Sequence, residues 1–315
     1  MRQFLKLFNK VGGLSVLSQY AKAHVLLFAI IQTLLQGFSN KSLEIVRLSV
    51  NNRLLCRLRR KYKRTVNEFV QLHKGKAFPR NRSNKIWFCW LQGLENAPVL
   101  VKKCYQSLEE NLTDKEIIVL TEENYREYVR FPEYIQKKID SGIITRTHMS
   151  DLLRLELLIQ YGGTWIDATV FCSGGRIPTY MFDSDLFFFQ VLKPGRDGEA
   201  SVMSSWFLTS CTNHPVLLLT RELLYKYWSR KNFMVDYFLL HDFFQIALES
   251  YPEEWNHVVP RDSAAPHVLL LRLFEPFEEQ IWESMKEQSC FHKLTYKFDK
   301  NQVELDEIYY QRILG

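Results

Sequence analysis

SDLLRLELLIQYGGTWIDATVF, residues 150–171, packs a helix signal, a turn signal and a strand signal into one stretch. Ser150 is a candidate N-cap for an apolar helix of about three turns, and Gly162 suits the left-handed position that ends one. TWIDATVF then reads as a strand with Ile166, Ala168 and Val170 on one face and Trp165, Asp167 and Thr169 on the other. A carboxylate inside such a strand is costly to bury unless it is paired or metal-bound. If the strand ends near Asp167, the side chain emerges at the strand's edge instead. Asp151 and Arg154, three residues apart, share a helix face near the positive N-terminal end. That spacing suits either a surface ion pair of little energetic value or two groups facing a ligand site.

The upstream sequence supplies the rest of a layer. KIWFCWL (85–91) is short, apolar and aromatic, as a buried strand is. APVLVKKCYQSLEENL predicts a helix with Pro98 near its start, and KEIIVL (115–120) a second strand. Thr121 is a candidate N-cap for EENYREYVR, and further helical sequence surrounds Pro132. Strands and helices alternating at this rhythm predict an α/β fold with parallel strands, whose ligands bind beyond the C-terminal strand ends.

The chain has 315 residues, 46% hydrophobic, with 22 Phe, 15 Tyr and 7 Trp, enough for a substantial core and against long disordered tracts. Its six cysteines are scattered without a C-x-x-C pair, which argues for free thiols rather than a zinc site or a disulfide framework. Charge is uneven. Residues 1–85 carry 18 Lys or Arg against two acids, Glu44 and Glu68, a net +16; the remainder is −10. The division predicts a basic helical extension over residues 1–80 and a catalytic-sized body over 81–315.

Within the extension, a cleaved signal peptide is not expected after MRQFLKLFNK, because Gly12, Gly13, Ser15, Ser18 and Gln19 break the apolar run that follows. HVLLFAIIQTLLQGF (24–38) is too short to span a bilayer. RLLCRLRRKYKR (53–64) is a basic amphipathic helix, with Arg53, Arg57, Arg60 and Arg64 around Leu54, Leu55, Leu58 and Tyr62. Residues 1–64 therefore suit an anionic membrane surface, with the apolar side chains among the headgroups; a helix packed on the body with a solvated basic face fits equally. No nucleic-acid motif accompanies the charge, so nucleic acid is not an expected partner.

Taken together, SDLLRLELLIQYGGTWIDATV resembles the signature of capsular polysaccharide synthesis proteins, within the GT-A glycosyltransferases that include family 32 and the glucosylating toxins. KIWFCWLQG, SSWFLTSCTNHPVL, DYFLLHDFF and FHKLTYK resemble further blocks, so the likeness extends over most of the chain. It implies a GT-A, Rossmann-like fold with a mainly parallel sheet. It also implies a retaining, metal-dependent transfer from a nucleotide sugar, a UDP-sugar, to a lipid-linked or other surface glycan at the cytoplasmic face of a bacterial membrane. The cofactor would be Mn²⁺ or Mg²⁺. Trp90 would stack on the nucleobase, while Asp151 and Arg154 would hold the donor. Asp167 would bind the metal, with Thr169 and His292 as further ligands, and Lys293, with Lys297 as a lesser candidate, would neutralise the diphosphate. The departure is Thr169, which stands where the motif Asp-x-Asp has its second carboxylate. That change leaves a second possibility, a non-catalytic nucleotide-sugar or glycan binding subunit, and a hydrolase on the same fold is a third.

A literal Asp-x-Asp, Asp183 and Asp185 in FDSDLF, precedes an apolar run and reads as a turn. Residues 192–205, LKPGRDGEASVMSS, suit either a lid or a surface connection. His241, Asp242 and Asp236 lie in or beside an amphipathic helix, where structural and substrate-facing roles are both open. P-loop, zinc-protease and α/β-hydrolase motifs are absent.

Overall fold

A computed structural model of the chain describes residues 13–76, 78–191 and 201–315. The start of the extension (1–12) and most of the turn-rich stretch 192–205, namely 192–200, lie outside the described residues. The protein is a mixed α/β structure whose central sheet has the order β2-β1-β3-β6-β5, built from β1 (Lys85–Cys89), β2 (Glu116–Leu120), β3 (Gly163–Ile166), β5 (Leu186–Gln190) and β6 (Met203–Ser210). β1 runs parallel to β2 and β3, β6 is antiparallel to β3, and β5 is antiparallel to β6. Four of the five strands thus point the same way, and the C-terminal ends of β1, β2 and β3 share one edge.

TWIDATVF is not one strand. β3 ends at Ile166, and residues 167–169 make a tight turn closed by the Val170 N–H donating to the Asp167 carbonyl at 3.0 Å. The chain then leaves the sheet as β4 (Val170–Cys172), which pairs antiparallel with β7 (Phe291–Lys293) in a separate two-stranded sheet. Asp167 therefore stands at the strand end, where it escapes the cost of burial within a central strand.

The helix before β3 starts earlier than Ser150. Thr145 is its N-cap, its side chain accepting from the His148 N–H at 3.3 Å. Three further helices come between the sheet strands before it: α4 (Val99–Asn111), α5 (Tyr125–Tyr128) and α6 (Glu133–Asp140); α7 itself spans Arg146–Tyr161. Thr121 is not the N-cap of α5, which is Asn124; the Thr121 hydroxyl accepts from the Glu123 N–H at 3.3 Å and its own N–H donates to Asn124 at 2.8 Å, in the turn that precedes the helix. Between α7 and β3, Gly162 and Gly163 take φ of 67° and 94°, and the Trp87 indole N–H seals the turn on the Gly162 carbonyl at 2.9 Å. At Gly163 a Cβ would fall 2.3 Å from the Lys85 carbonyl oxygen on β1, so only glycine lets β3 enter the sheet there.

The basic extension contains α1 (Gly13–Lys22), α2 (Leu26–Gln36) and the 34-residue α3 (Asn40–His73). α3 is not a detached arm. Val46, Val50, Leu54, Leu58 and Tyr62 recur every fourth residue and, with Leu55, are buried in the same apolar cluster as Leu152, Leu155 and Leu158 of α7. α3 packs on α9 (Pro215–Trp228) and α10 (Leu239–Ser250), where Tyr62 meets Phe243 edge-on at 5.0 Å and Arg59 pairs with Glu249 at 2.5 Å. The apolar positions of residues 53–64 are thus occupied by the body and unavailable to lipid headgroups; only the basic face is exposed. Asp183 ends a short helix, α8 (Tyr180–Asp183), and Asp185 pairs with Arg82 at 2.8 Å before β5, so FDSDLF is a turn into a strand.

Candidate active site

One cavity of about 490 Å³ opens beyond the C-terminal end of β3. Asp151, Arg154, Asp167 and Lys293 line it together, although Asp151 and Lys293 are separated by most of the body's sequence. Arg154, 3% exposed, is the centre of the cluster. Its Nη1 donates to Asp151 Oδ1 at 2.7 Å and its Nη2 to Asp167 Oδ1 at 3.1 Å, with the guanidinium 4.6 Å over the Trp165 ring. One buried cation therefore joins helix α7 to the end of β3, a geometry that suits the planar fork of arginine and not lysine. The spacing of Asp151 and Arg154 proves to be a buried bridge and not a surface pair. Arg154 Nε is also buried and without a hydrogen-bond partner among the described residues.

Asp151 is held from behind. The Trp228 indole N–H, which can only donate, points at His148 Nε2 at 2.9 Å, so His148 Nε2 accepts and Nδ1 carries the proton toward Asp151 Oδ2 at 3.3 Å. Burial pushes the Asp151 carboxyl up, but the His148 hydrogen bond and the Arg154 charge outweigh it and hold the group below the usual range. Asp151 is therefore a fixed anion whose orientation is set three residues deep into the core.

Lys293 also lines the cavity, with Thr169 behind it. Thr169 is 7% exposed, and its hydroxyl accepts from Lys293 Nζ at 2.5 Å; the same ammonium lies 3.6 Å from Asp167 Oδ2. The hydroxyl at the third motif position thus aims a lysine rather than facing the cavity as an ion ligand. His292 stands one residue from Lys293 on β7 and so points to the opposite side. It is fully buried, with Nε2 at 3.0 Å from the Ser173 hydroxyl and its ring 5.2 Å from Trp282. Burial lowers its pKa to about 4. His292 is a core residue, and the expectation that it approaches Asp167 is corrected by strand alternation. Trp90 follows β1 at the same sheet edge but does not line the cavity; it meets Tyr296 edge-on at 5.4 Å, and its indole N–H is buried without a partner among the described residues. Lys297 is exposed beside Tyr296, outside the cavity lining.

A divalent cation is the cofactor implied by the resemblance. Among the described residues, no three His, Cys, Asp or Glu side chains converge as a ready cation cage. A Mg²⁺-like ion nevertheless keeps waters and takes phosphate oxygens, so one carboxylate suffices as the protein's share. Asp167 Oδ2 fits that part: its side chain is 29% exposed, it lines the cavity, and its near neighbour is Lys293, whereas Oδ1 is taken by Arg154 and by the Trp165 indole N–H at 2.9 Å.

The cavity lining also includes residues for which the sequence left the role open or offered no functional signal. Arg47 and Asn51 of α3 line it, as do Asp236, Tyr237, His241 and Asp242 around the start of α10. Burial lowers His241 to about 4, so its imidazole is neutral at physiological pH. Burial, and then the charge of Asp236, push the Asp242 carboxyl well above the usual carboxylate range, with Arg59 opposing; one Asp242 oxygen has no hydrogen-bond partner among the described residues. A carboxyl whose folded pKa is raised stabilises the fold at low pH and loses that contribution as pH climbs toward the raised value. Asp242→Asn, which cannot ionise, is expected to gain on the native chain between a measurement at about pH 5 and one at about pH 8. Urea midpoints at the two pH values check this; parallel shifts of both proteins would show that Asp242 does not titrate there.

Sequence comparison places these features beside known proteins. The family described as "Capsular polysaccharide synthesis protein" matches residues 36–313. The chain is 26% identical over 164 residues to the O-glycosyltransferase PaGT of Phomopsis amygdali, covering 46% of this chain and 39% of that one, so it spans well under half of that relative's length. The PaToxG glycosyltransferase structure aligns with 86% of this chain and 97% of its own at 14% identity, with a TM-score of 0.37.

Proposed function

Because this chain belongs to the capsular polysaccharide synthesis protein family, we propose that it is a GT-A glycosyltransferase. It would move a sugar from a UDP-linked donor onto a lipid-linked surface glycan with retention of configuration. The observation that carries this is the junction of Arg154, Asp167 and Lys293 in one cavity at the end of a central parallel strand. The donor's diphosphate would lie against this cluster in the cavity, where Lys293 and the buried charge of Arg154 flank Asp167. As the bond to the sugar breaks, negative charge grows on the diphosphate, and fixed cations that need no rearrangement offset it most effectively. Lys293 is aimed by Thr169, and Arg154 is aimed by Asp151, itself locked by His148 and Trp228. A bound Mn²⁺ or Mg²⁺, held by Asp167 and the diphosphate, would add Lewis-acid charge stabilisation.

The acceptor would use the remaining lining of the same cavity. Neutral His241 and the carboxyl of Asp242 are suited to hydrogen-bond sugar hydroxyls, while Arg47 and Asn51 bring the extension into the wall. Retention then proceeds by front-face attack, with the leaving diphosphate assisting removal of the acceptor proton.

Purified protein with Mn²⁺ and a panel of nucleotide sugars is expected to release nucleoside diphosphate, and chelation to abolish that release. Asp167→Asn should lower it about 100-fold. Equal turnover by both proteins would remove Asp167 from the mechanism. Donor binding without turnover would identify a binding subunit, and free sugar formed without acceptor a hydrolase.

A further inference from the structure

Helix α2 wears its apolar side outward. Leu27, Ile30, Ile31, Leu34 and Leu35 recur at three- and four-residue steps and so form one stripe, with exposures of 71%, 46%, 46%, 69% and 75%. The inward side buries Ala29 and half-buries Phe28, but it also carries Gln32 and Thr33, whose hydroxyl turns back to the Ala29 carbonyl at 2.8 Å. A surface helix of a water-soluble body has the reverse arrangement, with its apolar stripe on the core. A contiguous exposed apolar face of this kind marks an interaction surface.

The charge around the stripe selects the partner. No Asp or Glu occurs before Glu44. Arg53 of α3 lies over the Phe28 ring of α2 at 5.6 Å, so the basic row of α3 begins against the N-terminal part of α2. Arg53, Arg57 and Arg60 are exposed and form no ion pair among the described residues. Lys61 completes the field: burial first, then the charges of Lys231, Arg230 and Arg57, lower its pKa. A two-fold dimer through this face would set basic rows against each other, whereas an anionic lipid surface satisfies both the stripe and the row.

We propose that α2 is an interfacial helix that lies flat in an anionic bilayer surface, with the stripe over residues 27–35 among the acyl chains and Arg53, Arg57 and Arg60 on the headgroup phosphates. Among the described residues no helix is long and apolar enough to cross a membrane, so the contact is lateral. The expected membrane contact thereby moves from the apolar side of residues 53–64, which the core consumes, to α2. Because α2 packs on α3, and α3 supplies Arg47 and Asn51 to the cavity, a lipid-borne acceptor would meet the site at the membrane; that consequence rests on the proposed function, while the surface does not.

Flotation of the full chain with vesicles tests the surface without any nucleotide sugar. The native protein is expected to float with phosphatidylcholine–phosphatidylglycerol vesicles, less so as salt rises, and poorly with phosphatidylcholine alone. Leu34→Ser/Leu35→Ser should weaken partitioning on the order of 10- to 100-fold, with circular dichroism and thermal midpoint unchanged because both side chains are exposed. Arg57→Gln/Arg60→Gln should weaken it on the order of tenfold, on anionic vesicles only. Equal flotation of the native chain and the serine variant would overturn the proposal. So would a native dimer, seen by light scattering, that the serine variant converts to monomer while vesicles go unbound; the stripe would then be an interface between copies.

Discussion

Replacing Arg154 with leucine is expected to lower thermal stability and donor turnover together. The guanidinium is the shared partner of Asp151 and Asp167 and is almost wholly buried. Removing it leaves two carboxylates, Asp151 and Asp167, without the cation they share. Breaking a buried ion pair from one side costs about 3–5 kcal/mol, which in a chain of this size lowers the midpoint by roughly 5–10 °C. Turnover should fall by about 1,000-fold, because the variant loses both a fixed cation at the leaving group and the orientation of Asp167.

The pH dependence of the deficit is part of the expectation. Asp151 has a depressed folded pKa, so the stability it contributes is present above its unfolded value and is lost as pH falls through the folded one. The gap between native protein and Arg154→Leu should therefore be widest near neutrality and close toward acid. Arg154→Lys should recover more stability than turnover, since an ammonium restores charge but cannot reach both carboxylates while stacking on Trp165. Thermal denaturation across pH, with donor hydrolysis or transfer measured in parallel, checks each part. Native-like stability and turnover in Arg154→Leu would mean that the bridge does not exist in solution.

Gly163→Ala is expected to cost about 2–4 kcal/mol and roughly 5–10 °C, with loss of soluble yield. Two effects act at once. The residue holds φ at 94°, and its added methyl would sit 2.3 Å from the Lys85 carbonyl oxygen. That oxygen belongs to the backbone of β1, so no side-chain rotation relieves the clash; β1 and β3 must separate where Ile86 faces Thr164. Asp167 directly follows the last residue of β3 and would move with it. Gly162→Ala should be milder, because φ there is 67° and the nearest backbone atoms are at 3.0 to 3.3 Å. Circular dichroism melts of the two variants distinguish the cases, and a Gly163→Ala melt matching the native one would refute the close approach.

Strand and helix positions in the first half of the body were legible because their signals are short-ranged. KIWFCWL and KEIIVL became β1 and β2, Pro98 precedes α4, and the two glycines turn the chain into β3. Asp167 was visible as an anomaly, a carboxylate in an apolar run, and the strand end accounts for it. Start signals were less dependable: Thr145 rather than Ser150 caps α7, since any hydroxyl ahead of an apolar run satisfies the pattern and only the backbone path selects one. The basic helix α3 shows a different limit. Its periodicity established that it had an apolar side, but periodicity cannot say whether a protein core or a lipid headgroup layer covers that side; here the core does, and the apolar stripe of α2, read from sequence only as too short to span a bilayer, faces outward.

By itself, the sequence determined the α/β alternation, the helix–glycine–strand unit and the placement of Asp151 and Arg154 one turn apart, all consequences of backbone geometry over fewer than about 20 residues. Only the tertiary structure decided that Arg154 reaches Asp167, that Lys293 and not His292 turns to the cavity, and that Arg47, Asp236 and Asp242 share its walls. Those contacts close loops of tens to hundreds of residues. In β7 the choice between neighbours is a one-residue phase, set by which side of a three-residue strand the rest of the chain covers.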